Sequence, residues 1–326
     1  MRIGDRQEHQ TAKIKLTANQ IKHKTMIKHF EEVFEHLRSK EKKRLVAAWA
    51  VDDHTITAVS KAVQMGIVEG TLVGDKNKIL EVCAKEGIDP ALFTIIDNKV
   101  ELKAIAQAVL MVREGQGDIL MKGLCSTDKY MRGILNKEAG LLPPKAVLSH
   151  ISVIENPNYH KLMIFGDMAV IPAPDFKQKV AITKYLVNTA HAFEIECPKV
   201  AAIAATEQMM ETMPACMEAA LLAKMGDRGQ IPACTIDGPL ALDVALNPEA
   251  AAIKKLKSTV AGDADCMLFP NIESANVFYK TNSQLCRNTR QAAIVAGAMA
   301  PCVLSSRADS IDTKLNSIAL AALTAK

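Results

Sequence analysis

The chain of 326 residues is poor in the features that would declare a function at once. Aromatic residues make up only 4%, with a single Trp. Single-stranded nucleic acid is held on stacked aromatic rings, so that class is disfavoured. Eight cysteines are present (Cys83, Cys125, Cys197, Cys216, Cys234, Cys266, Cys286 and Cys302), but none forms a Cys-x-x-Cys pair. A zinc site needs clustered Cys and His, and a disulfide framework belongs to short secreted chains. Reduced thiols and no metal are the expectation. No apolar run approaches the ~18–20 residues that a membrane helix requires, and the N-terminus lacks the apolar core of a secretory signal. A cytoplasmic protein without a membrane partner is expected. Also missing are a G-x-G-x-x-G dinucleotide loop, a G-x-x-x-x-G-K-[ST] nucleotide loop and a G-x-S-x-G elbow. Gly115-Gln116-Gly117 precedes a strand-like run, so it reads as a turn.

The formal charge of +4 belongs to one end of the chain. Residues 1–25 hold Arg2, Arg6, Lys13, Lys15, Lys22 and Lys24 against Asp5 and Glu8, which accounts for the whole surplus. The rest is neutral, whereas a reader of phosphate backbones concentrates positive charge on a folded face. No nucleic-acid partner is expected. Residues 1–25 read as a basic extension outside the fold, disordered or upstream of the natural start, because Met26 opens the first helical pattern.

What remains is enough for two domains: 49% hydrophobic residues over this length can build two cores. Ile27, Phe30, Phe34 and Leu37 fall at helical spacing. Short apolar runs at 45–51, 71–73, 92–96 and 118–121 alternate with helical patterns at 59–67, 78–86 and 102–113. Asp52-Asp53-His54-Thr55 supplies oxygen-bearing side chains to cap the second helix. Such alternation indicates a parallel sheet covered on both faces. The texture then changes. Residues 146–154 and 161–171 are β-rich and joined by Glu155-Asn156-Pro157-Asn158, which reads as an antiparallel excursion. Helix 176–193, strand 200–205, helix 214–224, strand 266–269, a helix from 273, strand 300–304 and helix 310–325 complete the chain. We expect two three-layer α/β domains with a cleft between them. The first comprises residues 26–144 plus 295–326 and the second residues 145–294.

In open parallel sheets ligands bind where strands hand over to helix N-termini. Three such loops carry chemistry. The first is Lys122-Gly123-Leu124-Cys125-Ser126-Thr127, with Arg132 about a turn into its helix; Gly allows close backbone approach, the hydroxyls donate, and the lysine and arginine neutralise an anion. Taken alone it reads rather as an ordinary capped turn with solvated basic residues. The second is Ser305-Ser306-Arg307-Ala308-Asp309-Ser310-Ile311-Asp312, where Arg307 can hold a phosphate or carboxylate in a fork. Asp309 or Ser310 caps the helix here, and a lone first-turn Asp312 also suits the helix dipole. The third joins residues 237–243 with 269–280, which contain Asp237, Asp243, Glu273 and Lys280; its carboxylates are not spaced as a metal site.

At these loops the sequence resembles the phosphate acyltransferases, the family of phosphate acetyl- and butyryltransferases. The resemblance runs from about residue 40 to the end, and its most specific parts are KGLCSTDKYMR (122–132), DGPLALDVAL (237–246), FPNIESANVFYK (269–280) and SSRADSIDTKLNSIALA (305–321). The wording of the second and fourth blocks is nearer the butyryl branch. The resemblance implies a fold similar to isocitrate- and isopropylmalate-dehydrogenase-type enzymes, homo-oligomeric assembly, and reversible conversion of acyl-CoA and inorganic phosphate into acyl phosphate and CoA. Coenzyme A is then a substrate and no cofactor is called on. The family's catalytic Ser-Arg pair falls on Ser306 and Arg307, and its catalytic Asp best matches Asp312. The acetyl branch, however, places that Asp where Thr313 stands. Arg132 matches the arginine after the Ser-Thr loop, and Lys122, Ser126, Thr127 and Lys280 join it in binding substrate. A second family arginine falls on Gln284; either Arg287 or Arg290 replaces it, or this branch manages without. Phosphate acetyl transfer, a decarboxylating dehydrogenase on the same scaffold and a non-catalytic acyl-CoA binding module stand as alternatives.

Overall fold

A computed structural model describes residues 25–304 and 309–326. The N-terminal extension and residues 305–308, with Ser306 and Arg307 among them, lie outside the described residues.

The chain opens with α1 (Phe30–Arg38), whose Phe30, Val33, Phe34 and Leu37 are buried in the helical stripe that the spacing predicts. Four strand–helix units follow: β1 (Lys43–Ala48) and α2 (Asp53–Gln64), β2 (Val68–Gly74) and α3 (Lys76–Glu86), β3 (Phe93–Asp97) and α4 (Glu101–Arg113), β4 (Ile119–Lys122) and α5 (Thr127–Ile134). Several helix starts are set by a local side-chain cap. Asp52 accepts the Thr55 N–H at 2.9 Å to cap α2, and Ser126 accepts that of Lys129 at 3.3 Å to cap α5. The second stretch runs β5 (Ser149–Glu155), β6 (Met163–Gly166), α6 (Phe176–Ala192), β7 (Lys199–Ile203), α7 (Pro214–Asp227), β8 (Thr235–Leu240), the short α8 (Leu242–Leu246) and α9 (Pro248–Ile253), β9 (Cys266–Leu268) and α10 (Ile272–Leu285). The chain then returns through β10 (Arg290–Ala296), β11 (Cys302–Val303) and α11 (Ile311–Thr324).

The strands form one mixed sheet in the order β3-β2-β1-β4-β11-β10-β5-β6-β9-β7-β8. On one side β1 to β4 and β11 are parallel, and on the other β6, β9, β7 and β8 are parallel. Between them β5 and β10 pair antiparallel with each other over their full length, with β10 antiparallel to β11 and β5 antiparallel to β6. The excursion read from residues 146–171 is therefore present, although its second strand is shorter than expected and gives way to a turn after Gly166. Two features escape the sequence reading. β10, RQAAIVA, is rich in alanine and lacks the usual strand composition; it is a strand because it is hydrogen-bonded on both edges. β8 contains the Asp237-Gly238-Pro239 that reads as a loop, yet it pairs with β7 at the edge of the sheet, where a proline is tolerated. The result is two α/β halves joined across β5 and β10, with the C-terminal α11 packed on β10, α2 and α1.

Candidate active site

β4 and α5 meet at a backbone crossing that only glycine permits. A Cβ on Gly123 would stand 2.3 Å from the Trp49 carbonyl oxygen, and the Gly123 and Leu124 N–H groups donate to Ala48 and Trp49 at 3.0 and 2.9 Å. This closeness fixes the loop that carries Lys122, Cys125, Ser126 and Thr127, all of which line a cavity of 480 Å³. The opposite wall comes from the other half: Asn276, Tyr279 and Lys280 on α10, and Met168 and Ala169 in the turn after β6. The floor is the central sheet, with His150 on β5 and Ala293 on β10. Leu304 and Asp309, on either side of residues 305–308, complete the walls.

Its charges are held by satisfied hydrogen bonds. The Lys122 side chain is buried and donates to the carbonyls of Cys125 (3.0 Å) and Gly123 (3.3 Å). Asp167, also buried, accepts the N–H groups of Ala169, Val170 and Ile171 at 2.9, 2.9 and 3.2 Å and the Ser149 hydroxyl at 3.0 Å. That fan of donors orders the turn bearing Met168, which Asn276 ties to α10 by donating to its carbonyl at 3.1 Å. His150 is 1% exposed. Burial pushes its imidazole below the ordinary value, against the opposing charges of Asp167 and Asp309 and a hydrogen bond to the Leu304 carbonyl. Burial likewise raises the Cys125 thiol, despite the nearby Lys122 ammonium, and raises the Tyr279 phenol, to which Asp309 adds. A neighbouring cavity of 150 Å³ is reached through Lys122 and lined by Asp52, His54 and Lys314. Lys314 is buried in α11, and its ammonium is pushed down by burial while Asp52 and Asp309 oppose that shift.

Of the residues singled out in the sequence, Lys122, Ser126, Thr127 and Lys280 share the 480 Å³ cavity. Arg132 does not: it lies on the outer face of α5 with its side chain 79% exposed, paired with Asp128 at 3.1 Å. Asp312 is equally exposed, pairs with Lys61 at 3.7 Å and borders a different cavity beside α1. Arg290 lies over the rings of Phe30 and Phe34 and pairs with Glu31, and Arg287 is exposed; neither lines the 480 Å³ cavity. Asp243 pairs with Lys254 at 3.5 Å. The sequence reading missed His150 and Lys314. Each carries a weak signal, a basic side chain inside a β-rich run or on the apolar stripe Ile311, Leu315 and Ile318.

The whole chain has clear relatives. A family model described as Phosphate acetyl/butaryl transferase matches residues 28–104 and 98–322. Phosphate butyryltransferase of Clostridium acetobutylicum is 45% identical over 300 residues, spanning 92% of this chain and 99% of that protein. Phosphate acetyltransferase of Thermotoga maritima is 40% identical over 298 residues, 90% of this chain and 99% of the relative. Among solved structures, a branched-chain phosphotransacylase from Enterococcus faecalis V583 superposes with a TM-score of 0.77 at 26% identity, covering 86% of this chain and 98% of that one. The four sequence blocks thus sit in a chain matched nearly end to end, and the chain belongs to the phosphate acetyl- and butyryltransferase family.

Proposed function

We propose that the protein catalyses the reversible conversion of butyryl-CoA and inorganic phosphate into butyryl phosphate and CoA, by direct transfer within a ternary complex. One observation carries the reading: the cavity between the halves gathers the anion-binding loop Lys122–Thr127 and Lys280 in a chain 45% identical to a butyryltransferase. Phosphate enters as an anion, and the buried Lys122, the charge of Lys280 and the N-terminus of α5 supply a complementary field. From the resemblance, Ser306 and Arg307 stabilise the oxyanion of the tetrahedral intermediate. The thiol of Cys125 is held protonated by burial, which favours direct attack over an acyl-cysteine intermediate.

We read residues 26–144 plus 295–326 and residues 145–294 as two three-layer domains, similar in plan to isocitrate-dehydrogenase-type enzymes, in a homo-oligomeric cytoplasmic protein. No helix among the described residues is long and apolar enough to cross a membrane. Acetyl transfer is the second reading, favoured by the 40% identity to an acetyltransferase. Phosphate-dependent thiol release from butyryl-CoA and acetyl-CoA under identical conditions separates the two. Faster release from butyryl-CoA is expected. A preference for acetyl-CoA moves the protein to the other branch, and silence with both thioesters removes the catalytic reading.

A further inference from the structure

Acyl transfer needs a group to move one proton. When the CoA thiol attacks an acyl phosphate, a C–S bond forms, the C–O bond to phosphate breaks, and the thiol proton must reach the departing phosphate oxygen. The resemblance points to Asp312 for this task, but the helix geometry does not. Asp312 and Lys314 are two residues apart on α11, about 200° around its axis. Lys314 is buried toward the cavities, so Asp312 turns away from them and meets Lys61 instead. Asp309 precedes the Ser310 cap of the same helix and lines the cavity itself.

We propose that Asp309 is the carboxylate that carries this proton, with His150 as the residue that positions it; the proposal rests on the acyl-transfer reading. His150 reaches both flanks of residues 305–308. Its ring is hydrogen-bonded to the Leu304 carbonyl on one side and interacts with the Asp309 carboxylate on the other. Its Nδ1 also lies 3.3 Å from the Ser152 hydroxyl oxygen, so the ring is held within the strand rather than free to turn. The ionisable groups around Asp309 come from every wall: His150 on β5, Asp167 in the turn after β6, Tyr279 and Lys280 on α10, Lys314 on α11, and Lys122 and Cys125 from the loop after β4. In the reverse direction the protonated Asp309 returns its proton to the leaving thiolate, and the balance closes without another reactant.

The test compares Asp309→Asn, Asp309→Glu, Asp312→Asn and His150→Gln in the full-length protein, with butyryl phosphate and CoA as substrates and melting curves as a folding control. A base supplies a factor of ~10²–10⁴, so Asp309→Asn lowers kcat by that order and abolishes the acid limb of the kcat–pH profile, with KM for CoA within about threefold. Asp309→Glu folds normally and recovers about tenfold of that loss, because a carboxylate is again within reach. Asp312→Asn stays within about threefold of wild type. His150→Gln lowers kcat and moves the acid limb while leaving KM unchanged, which a purely structural role would not do. Near-normal turnover in Asp309→Asn, or the full loss in Asp312→Asn, overturns the assignment. If the wild type itself is silent with both acyl groups, the acyl-transfer reading has failed and this one falls with it.

Discussion

Cys125 is the residue on which a covalent and a direct mechanism part company. It sits in the cavity wall beside Lys122, where a thiolate nucleophile would be welcome, but it is fully buried and its thiol is pushed up rather than down. Cys125→Ala should therefore keep kcat within about threefold, the change expected when a group outside the chemistry is trimmed. Steady-state thiol release checks this, and a loss of turnover in a variant with an unchanged melting curve would restore the acyl-cysteine route. The same residue scale explains what could be read from the sequence. That Lys122, Ser126 and Thr127 line one cavity was legible because ligands gather where strands hand over to helices, whereas Lys280, two turns into α10, was reached through the resemblance. Arg132 and Asp312 were placed along the chain by motif, but a motif says nothing of rotation about a helix axis. Arg132 is two residues from both Tyr130 and Ile134, which are buried, and so faces the opposite way. His150 and Lys314 stayed hidden because a basic residue within an apolar pattern is as often a satisfied core group as a working one.

Elements are fixed by their neighbours as much as by their own composition. The alternating units β1 to α5 were legible from periodicity alone, and the caps Asp52 and Ser310 from their side-chain oxygens. β10 was not, because three alanines in seven residues carry little strand preference; its place is decided by pairing with β5 and β11, which no local pattern displays. On the far side of the sheet a charge cluster does similar work. Lys161 donates to Asp265 at 2.6 Å and lies 2.8 Å from Asp263, while Lys199 reaches Asp263 at 2.6 Å, joining the segments that lead into β6, β7 and β9. Lys161 and Asp265 are both buried. Removing one partner strands the other charge, so Lys161→Met should cost ~3–5 kcal/mol in a urea melt. A cost below ~1 kcal/mol, the range of exposed pairs, would show the cluster to be solvated. Asp263 gives this cluster an acid limit. Burial acts to raise its carboxyl, but the hydrogen bonds and charges of Lys161 and Lys199 outweigh that and hold it well below the usual range. A lowered folded pKa means the contribution is complete above the unfolded value of 3.8 and is lost as pH falls through the folded one. Asp263→Asn should accordingly flatten the acid-side fall in melting temperature; an unchanged slope would assign the acid sensitivity elsewhere.

At the scale of the whole molecule, one sheet runs through both halves and the 480 Å³ cavity forms where they meet. Neither half lines the cavity alone: the Lys122–Thr127 loop and Asp309 come from the segments around β4 and α11, while Tyr279 and Lys280 arrive on α10 from across the central pair β5 and β10. The two-domain plan was legible in the sequence, but the continuity of the sheet across β5 and β10 was not, since long-range pairing leaves no periodic trace. The central claim is that this protein joins an acyl group to phosphate rather than to water. Phosphorus NMR of the protein with butyryl-CoA and inorganic phosphate, run beside a thiol assay, tests it directly. The account predicts an acyl-phosphate resonance that grows in step with free CoA, one for one, and reverses when CoA is added in excess. Thiol release with no acyl phosphate, or release that proceeds equally without phosphate, would mark the protein as a thioester hydrolase and contradict the account.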